Sequence, residues 1–532
     1  MLEHRIKITG IGVMTPIAQT PDEFWRKLVE GAERVHLSGT TARPALSAET
    51  FRTYCERAIR ACIQDAGLDC SKKGCILVGT GMGIADTAML DENPPATFLS
   101  SIEEVVKQAA PYEVEVRVIA NACCAGAQAI AYATDLLRMN QYDYVIAGGI
   151  EIFSYLIYCG FARLFALDKE GCRPFDRNRK GISVGEGAAF FALEKGATQK
   201  DYGSILGYAA THDAYHVTAP DPTGQYARTA IEKLLSRLRL QPRDIQGIIA
   251  HGTGTKSNDQ VEAKVLYEIF KDQPGVTAPK CVFGHTGGAS GAFSLLTAIL
   301  ALQHQCLPPI HHHKVADPQI HVQLVTKRAK DQAMERVLVN CFAFGGTNIA
   351  MICEKRPSRE GRGKPYIRRH TSVSSDRFQG EFFTRFGGRL MDDLTKKVLL
   401  TMDDLFGSDY GCINGDRTGL VLSSNKGPYT AICQTADIVR RWGYKRINPS
   451  AFPYTMFSTA LAQAAMHVNI HGPACCFLDS SHRGYHAIEY SFVQIESGHC
   501  DAMIEVYVDA DGWTEGSYIT ISRGLWYENR ID

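Results

Sequence analysis

Residues 118–130 read VIANACCAGAQAI: a β-branched apolar run, a turn through Asn121, then a small-residue stretch of helical composition. Strand, turn and helix in that order make an α/β unit, and the turn carries Cys123 and Cys124. A cysteine entering a helix faces the positive end of the helix dipole, which favours its thiolate. The small neighbours leave room for a substrate. Taken alone, such a cysteine is equally a buried packing residue. The same alternation extends outward. Short apolar runs at 6–11, 75–78, 144–147, 248–251 and 337–339 read as strands, and 52–66, 127–138 and 293–302 read as helices. This is the pattern of an α/β fold. The last helix is apolar nearly all round, so a buried position is expected for it.

Three later stretches carry residues of similar promise. Residues 251–255, HGTGT, follow an apolar strand and put His251 at its C-terminal end, where α/β folds place functional groups. Residues 283–288, FGHTGG, offer a second such histidine, His285. Residues 340–348, NCFAFGGTN, run a strand into a Gly345-Gly346 turn whose backbone N–H groups suit an anion.

Charge and cysteine usage narrow the function classes. Lys plus Arg and Asp plus Glu both number 57 in the 532 residues, so no cationic surplus argues for nucleic acid. The apolar share of 45% excludes bulk disorder. No apolar run approaches the roughly 18 residues of a membrane-spanning helix, and the first residues show no signal-peptide core. The 17 cysteines contain no CxxC pair, so metal-ligand spacing is absent and a reducing, cytoplasmic setting is expected. His311, His312 and His313 read as part of a strand, where neighbours point to opposite faces and cannot all hold one ion. The expectation is no metal.

NACCAG, HGTGT, Lys280 followed by His285, and FAFGGTN, in this order, resemble the β-ketoacyl-acyl-carrier-protein synthases, the ketosynthases of the thiolase superfamily. TGIGVMTP at 9–16, DYVIAGGIE at 143–151 and RPFDRNRKGISVGEG at 173–187 strengthen the resemblance, which covers about residues 1–355. It implies a thiolase-like layered αβαβα fold with mixed five-stranded sheets. It implies Cys123 as the nucleophile, acylated from a phosphopantetheine thioester on an acyl carrier protein, with no cofactor of the enzyme's own. The N–H groups of Cys123 and Phe344 would form the oxyanion hole. His251 and His285 would stabilise the enolate left when a malonyl-type extender loses CO2. Lys280, Asp259 and Glu262 would support them, and Thr253, Thr255, Gly345 and Gly346 would bind substrate. Cys124 is the rival nucleophile and is read as packing, because the family's glycine, Gly126 here, falls three after Cys123. Phe344 matches a gating phenylalanine. Phe98 falls near a position lining the acyl pocket, and its bulk predicts a short or compact acyl group. The carboxylate that usually accompanies the lysine is replaced by Ser294, which leaves a non-decarboxylating acyltransferase open. The stretches 32–50 and 85–95 are shorter than usual in the family, which predicts a more open site or one covered by another module.

Beyond a polar stretch, KRPSREGRGK at 355–364, the first pattern returns. RTGLVLSSNKGPYT at 417–430 echoes KGCILVGTGMGIADT at 73–87; CFLDSSHRGYHAI at 476–488 echoes 118–130; CDAMIEVYVDA at 500–510 echoes YDYVIAGGIEI at 142–152. This is an internal duplication of a first half only. The expected domains are a complete ketosynthase at 1–355 (halves 1–190 and 191–355), a linker at 356–365, and a degenerate thiolase-like half at 366–532. In the last, Ser481 stands where Cys123 should, with no histidine pair following and His482 and His486 read as surface or interface residues. Ketosynthases dimerise through the strand ahead of the nucleophile, so the resemblance implies that residues 474–480 pair antiparallel with 116–122; the expected assembly is an intramolecular pseudo-dimer or a homo-oligomer. A chain-length-factor-like, non-catalytic partner is the remaining alternative. Specialised polyketide or fatty-acid synthesis is the expected setting.

Overall fold

The computed structural model describes residues 6–31, 47–86, 88, 99, 101–195, 200–271, 273–326, 333–355, 365–373, 391–406, 410, 413–479, 484–508 and 514–521; of 365–373 and 514–521 it describes the backbone. Its strands fall into three groups of five: β1 Ile6–Met14, β2 Gly74–Gly79, β3 Glu115–Ile119, β4 Tyr144–Glu151 and β5 Gly187–Lys195; β6 Ser204–His212, β7 Gly247–Ile249, β8 Gly275–Thr277, β9 Arg336–Phe342 and β10 Thr347–Glu354; β11 Pro365–Val373, β12 Thr418–Ser424, β13 Ala474–Leu478, β14 Ala502–Val508 and β15 Thr514–Ile521. The strand orders are β3-β2-β4-β5-β1, β8-β7-β9-β10-β6 and β13-β12-β14-β15-β11. These are one topology three times over. In each group the first strand is antiparallel to the fifth, the fifth antiparallel to the fourth, and the second parallel to both the third and the fourth.

The first two groups build a layered core. Helices Ala125–Arg138 and Ser290–His304 are packed against each other and between the two sheets. Helix Ser47–Ala66 covers the outer side of β1 and β5, and helix Gln225–Leu238 covers β6 and β10. The layers are therefore αβαβα. The central helices are buried along almost their whole length, which is why 293–302 reads as apolar all round. Their close approach needs small residues: a Cβ on Gly291 would fall 2.5 Å from the Cβ of Ala127 and 2.7 Å from its backbone nitrogen.

Several expectations from sequence need correction. β5, β6, β8 and β10 are strands that apolar periodicity did not single out. β5 (GAAFFALEK) and β6 (SILGYAATH) are buried on both faces and rich in Ala and Gly, so they show no alternation and few β-branched residues. The three helices begin earlier than read, at Ser47, Ala125 and Ser290. β5 belongs wholly to the first sheet, so the two halves meet after Lys195, not at residue 190. His311 and His312 stand in a turn and not in a strand, His312 has a φ of +65°, and His311 Nε2 lies 2.9 Å from the carbonyl oxygen of Leu28. Residues 356–364 and 32–46, most of 85–95, and Phe98, Ser481 and His482 lie outside the described residues.

The third sheet joins the first edge to edge. β13 runs antiparallel to β3, with Phe477 opposite Ile119 and Leu478 opposite Val118, and Ala120 N–H donates to the Cys476 carbonyl at 2.8 Å. Phe477 occupies in the repeat the place of Ile119, and Leu478 that of Ala120. Equivalent positions thus face each other about a local two-fold axis through Ile119 and Phe477.

Candidate active site

β3 ends at Ile119, and the chain makes one tight turn, Ala122–Cys124, before the helix Ala125–Arg138. Ala122 takes a φ of +42°, a strained value for a residue with a side chain. Cys123 is half-buried and opens on a cavity of about 1080 Å³. Cys124 is sealed beneath it, its sulfur 3.5 Å from the Thr347 carbonyl oxygen. Of the pair, only Cys123 can meet a substrate.

The thiol does not behave as its place ahead of a helix suggests. Burial pushes Cys123 up to about 11, against the smaller opposing pull of Lys280 and of the backbone N–H groups of Phe344 and of Cys123 itself. Desolvation outweighs the helix end. Those two N–H groups nevertheless both act on the thiol, and backbone N–H donors beside a nucleophile are what an acyl oxyanion needs.

Two histidines line the same cavity. The His251 and His285 rings lie 5.7 Å apart, nearly perpendicular. Lys280 Nζ sits 3.3 Å from His251 Nδ1 and donates to the His251 carbonyl at 2.6 Å. The Gly287 N–H donates to His285 Nδ1 at 3.1 Å. A lysine ammonium and a backbone N–H can only donate, so both Nδ1 atoms accept and both protons sit on Nε2. Burial, with Lys280 adding to it, lowers His285 to about 3 and His251 well below the usual histidine range. The pair is therefore two neutral imidazoles, each with an Nε2–H to give.

Buried carboxylates hold this frame from behind. Glu262 accepts from the N–H groups of His251 (2.7 Å) and Gly252 (2.8 Å), and burial pushes it up to about 7. Asp259 accepts from Phe175 N–H at 2.7 Å and Gly254 N–H at 3.2 Å, tying the HGTGT turn to the 173–187 loop. Lys280 is buried and its pKa is lowered by desolvation, with Glu262 among the groups opposing that shift. Ser294 is buried, and its hydroxyl has no partner among the described residues.

The remaining predicted positions separate by role. Thr253 and Thr255 line the large cavity, their hydroxyls 2.9 Å apart. Gly345 and Gly346 do not line it: their N–H groups donate to Val217 and Ala343 carbonyls, while the Phe344 N–H of the same turn acts on Cys123. Their φ values of +97° and +90° explain the glycines. Phe344 borders both the large cavity and a second one of about 40 Å³ on the other side of Cys123. The small cavity is walled by Met82, Ile157 and Phe161 and, from the third sheet's unit, by Phe452 and Met456.

With this geometry in hand, comparison with known proteins is decisive. The β-ketoacyl synthase N-terminal domain profile matches residues 36–199 and the β-ketoacyl synthase C-terminal domain profile matches residues 202–314, together more than half of the chain. The chain belongs to the β-ketoacyl synthase family. The 3-oxoacyl-[acyl-carrier-protein] synthase 2 of Synechocystis is 29% identical over 411 residues, covering 66% of this chain and 98% of the relative. That of Coxiella burnetii is 26% identical over 411 residues, covering 67% and 99%. Among solved structures, the ishigamide ketosynthase/chain length factor is 26% identical with a TM-score of 0.59, covering 66% of this chain and 99% of that one. The PfaC keto synthase-chain length factor shares the fold, at 14% identity, with a TM-score of 0.80 over 98% of this chain and 79% of its own.

Within this β-ketoacyl synthase fold, sequence reading overlooked three kinds of residue. Glu151 closes the DYVIAGGIE motif and accepts from the N–H groups of Gly81, Met82, Gly83 and Gly288, fastening the loops around Cys123. Its place at the motif's end was a usable signal. Asp213 borders the large cavity and accepts from Asn348 Nδ2 at 2.7 Å, and burial pushes it up to about 6. Phe452 and Met456 had no local signal, because only the tertiary fold brings them to Cys123.

Proposed function

We propose that this protein is an acyltransferase of the condensing kind, joining an acyl group on Cys123 to a malonyl-type thioester carried by an acyl carrier protein. The Cys123 sulfur attacks the thioester carbonyl, the developing oxyanion is held by the N–H groups of Cys123 and Phe344, and the carrier thiol leaves. The extender thioester then enters by the large cavity. Its carboxylate carbon bond breaks, CO2 departs, and the electron pair forms an enolate. The enolate carbon attacks the acyl carbonyl, a carbon–carbon bond forms, and the Cys123 carbon–sulfur bond breaks. The observation that carries this reading is the pair of neutral imidazoles with both Nδ1 atoms occupied, which leaves two Nε2–H donors on the cavity of Cys123. Two donors suit a step that builds negative charge on one oxygen. They need no proton transfer to do so.

The unit from residue 366 onward is, in this reading, a degenerate thiolase-like half that acts as an intramolecular partner, as a chain length factor would. Its support is the repeated strand order and the antiparallel meeting of β3 and β13. The reading places the enzyme in the cytoplasm, in polyketide or specialised fatty-acid synthesis, with no cofactor beyond the carrier's phosphopantetheine. A second reading, acyl transfer without condensation, is favoured by Ser294 at the place of the usual carboxylate. Intact mass after incubation with acyl-carrier proteins, beside a Cys123→Ala control, tests the nucleophile. CO2 release from malonyl-carrier protein separates the two readings.

A further inference from the structure

His212 is the last residue of β6, and His471 stands shortly ahead of β13 in the C-terminal unit. Both are buried, and two hydrogen bonds join them. His212 N–H donates to the His471 carbonyl at 3.0 Å, and His471 Nδ1 lies 3.0 Å from the His212 carbonyl. A carbonyl only accepts, so the His471 ring carries a proton on Nδ1 and gives it to the His212 main chain. His471 is itself pinned. Its N–H donates to the Gly415 carbonyl at 2.9 Å, and Gly472 N–H donates to the Thr418 carbonyl at 3.1 Å. Its ring stacks on Tyr226 of helix Gln225–Leu238, with 3.8 Å between centroids and 4° between planes. A fixed ring with one aimed donor places the backbone it donates to.

That backbone leads to the nucleophile. His212 lies opposite Thr347 in the β6–β10 ladder. Asp213 N–H donates to the Gly346 carbonyl at 2.7 Å, and Asp213 Oδ1 accepts from Asn348 Nδ2 at 2.7 Å. Gly345 N–H donates to the Val217 carbonyl at 2.9 Å, which knits the loop after His212 to the 343–348 turn. The turn carries Phe344, whose N–H acts on the Cys123 thiol. It meets the C-terminal unit again at Gly345, where a Cβ would fall 2.8 Å from the Ser458 carbonyl oxygen. Contiguous hydrogen-bonded and packed chains of this kind carry coupling between distant groups. His251 and His285 hang on other supports, namely Glu262, Lys280 and the Gly287 N–H.

We infer that His471 is a positioning residue for acylation of Cys123: its Nδ1–H fixes the His212–Asp213 backbone, which holds the Phe344 turn and its N–H in register with the nucleophile. The C-terminal unit thereby sets the geometry of a reaction whose nucleophile it does not carry. The inference rests on the acyl-transfer reading of Cys123, and it predicts that the acylation step depends on His471 while the imidazole pair does not.

The test separates the two things the ring does. His471→Phe keeps a ring against Tyr226 and removes the donor, whereas His471→Asn keeps an N–H near the Nδ1 position and removes the stack. Glu489→Gln, which loosens the interface at Arg117 instead, is the control. Acylation of Cys123 is followed by intact mass with an acetylated acyl carrier protein and with acetyl-N-acetylcysteamine. His471→Phe should lower kcat for acylation about 10- to 100-fold with both donors, the usual cost of a small misplacement at a reacting centre, and leave each KM within about twofold. His471→Asn should stay within about threefold of the wild type in kcat. CO2 release from malonyl-carrier protein without an acyl donor should hold in both variants. A loss in His471→Asn as large as in His471→Phe, a change in KM alone, CO2 release falling in step with acylation, or an equal kcat loss in Glu489→Gln would overturn the inference. A wild type acylated by neither donor ends the acyl-transfer reading and the positioning role with it. A wild type acylated by both donors and matched by His471→Phe removes the positioning role alone.

Discussion

At the scale of single residues, the site depends on which groups are kept neutral. Burial holds the Cys123 thiol protonated at neutral pH, with a pKa of about 11. Alkylation by iodoacetamide, which needs the thiolate, should therefore rise about tenfold per pH unit from pH 7 to pH 10; a plateau below pH 8 would show the opposite. His285 sits near pH 3 because charging it in the interior is costly. Protonation of this imidazole thus removes no activity between pH 8 and pH 5, and the decarboxylation rate should stay flat on that side. His285→Ala should cut CO2 release about 10²–10³-fold, the usual effect of losing one donor to a developing oxyanion. The same variant should still form acyl-Cys123 by mass spectrometry. Loss of both steps together would assign the imidazole a role in nucleophile activation. The sequence pointed to Cys123 and His251, each just past the end of a strand, and to His285 in a Gly-rich turn. It gave the wrong sign for the thiol. A helix end is visible in sequence, whereas the surrounding desolvation depends on what else packs there.

At the scale of elements, the acyl side of Cys123 is shaped by a contact between two distant segments. Phe452 reaches the small cavity over Gly160 in helix Tyr155–Arg163, where a Cβ would come within 2.0 Å of its ring. Phe452→Ala should enlarge that cavity and shift the preferred acyl group on Cys123 to longer chains, read by mass over a series of acyl-carrier donors. Gly160→Ala should push the ring aside and lower acylation by every donor. The short-acyl expectation placed on Phe98 thus has a second candidate, and one from the repeat. The interface is also pinned by charge: buried Arg117 on β3 bonds Glu489 of helix Tyr485–Glu496, Glu115, and the hydroxyls of Tyr132 and Tyr142. Glu489→Gln should destabilise the protein by about 1–3 kcal/mol in urea unfolding, because the buried guanidinium loses a charged partner and keeps at best a neutral carboxamide oxygen.

At the scale of the whole molecule, the two-fold relation between β3 and β13 covers two sheet edges that would otherwise invite a second chain. A protein whose own repeat fills that edge should be a monomer of 58.5 kDa in light scattering. A stable species of twice that mass would mean that another surface pairs the chains. The fused unit does more than cover an edge. His471 Nδ1 donates to the His212 carbonyl at 3.0 Å, and His212 N–H donates to the His471 carbonyl at 3.0 Å. Asp213, the next residue, then bonds through its N–H to the Gly346 carbonyl at 2.7 Å. The Phe344 turn is in this way braced from the repeat.

The sequence by itself pointed to the α/β alternation, the catalytic candidates and the returning pattern after residue 366, because each is written in local pattern or in repeated pattern; the meeting of 474–480 with 116–122 was implied by the family resemblance, and the structure describes it at 476–478 against 118–120. Short-range rules of strand, turn and helix act on neighbours in the chain and survive without a fold. Tertiary structure alone decided the sign of the Cys123 shift, the proton positions on His251 and His285, the glycine N–H groups used up in the 345–346 turn, and the Phe452 wall of the acyl cavity. Each of these depends on desolvation or on contact between residues far apart in the chain, and neither is fixed until the layers close.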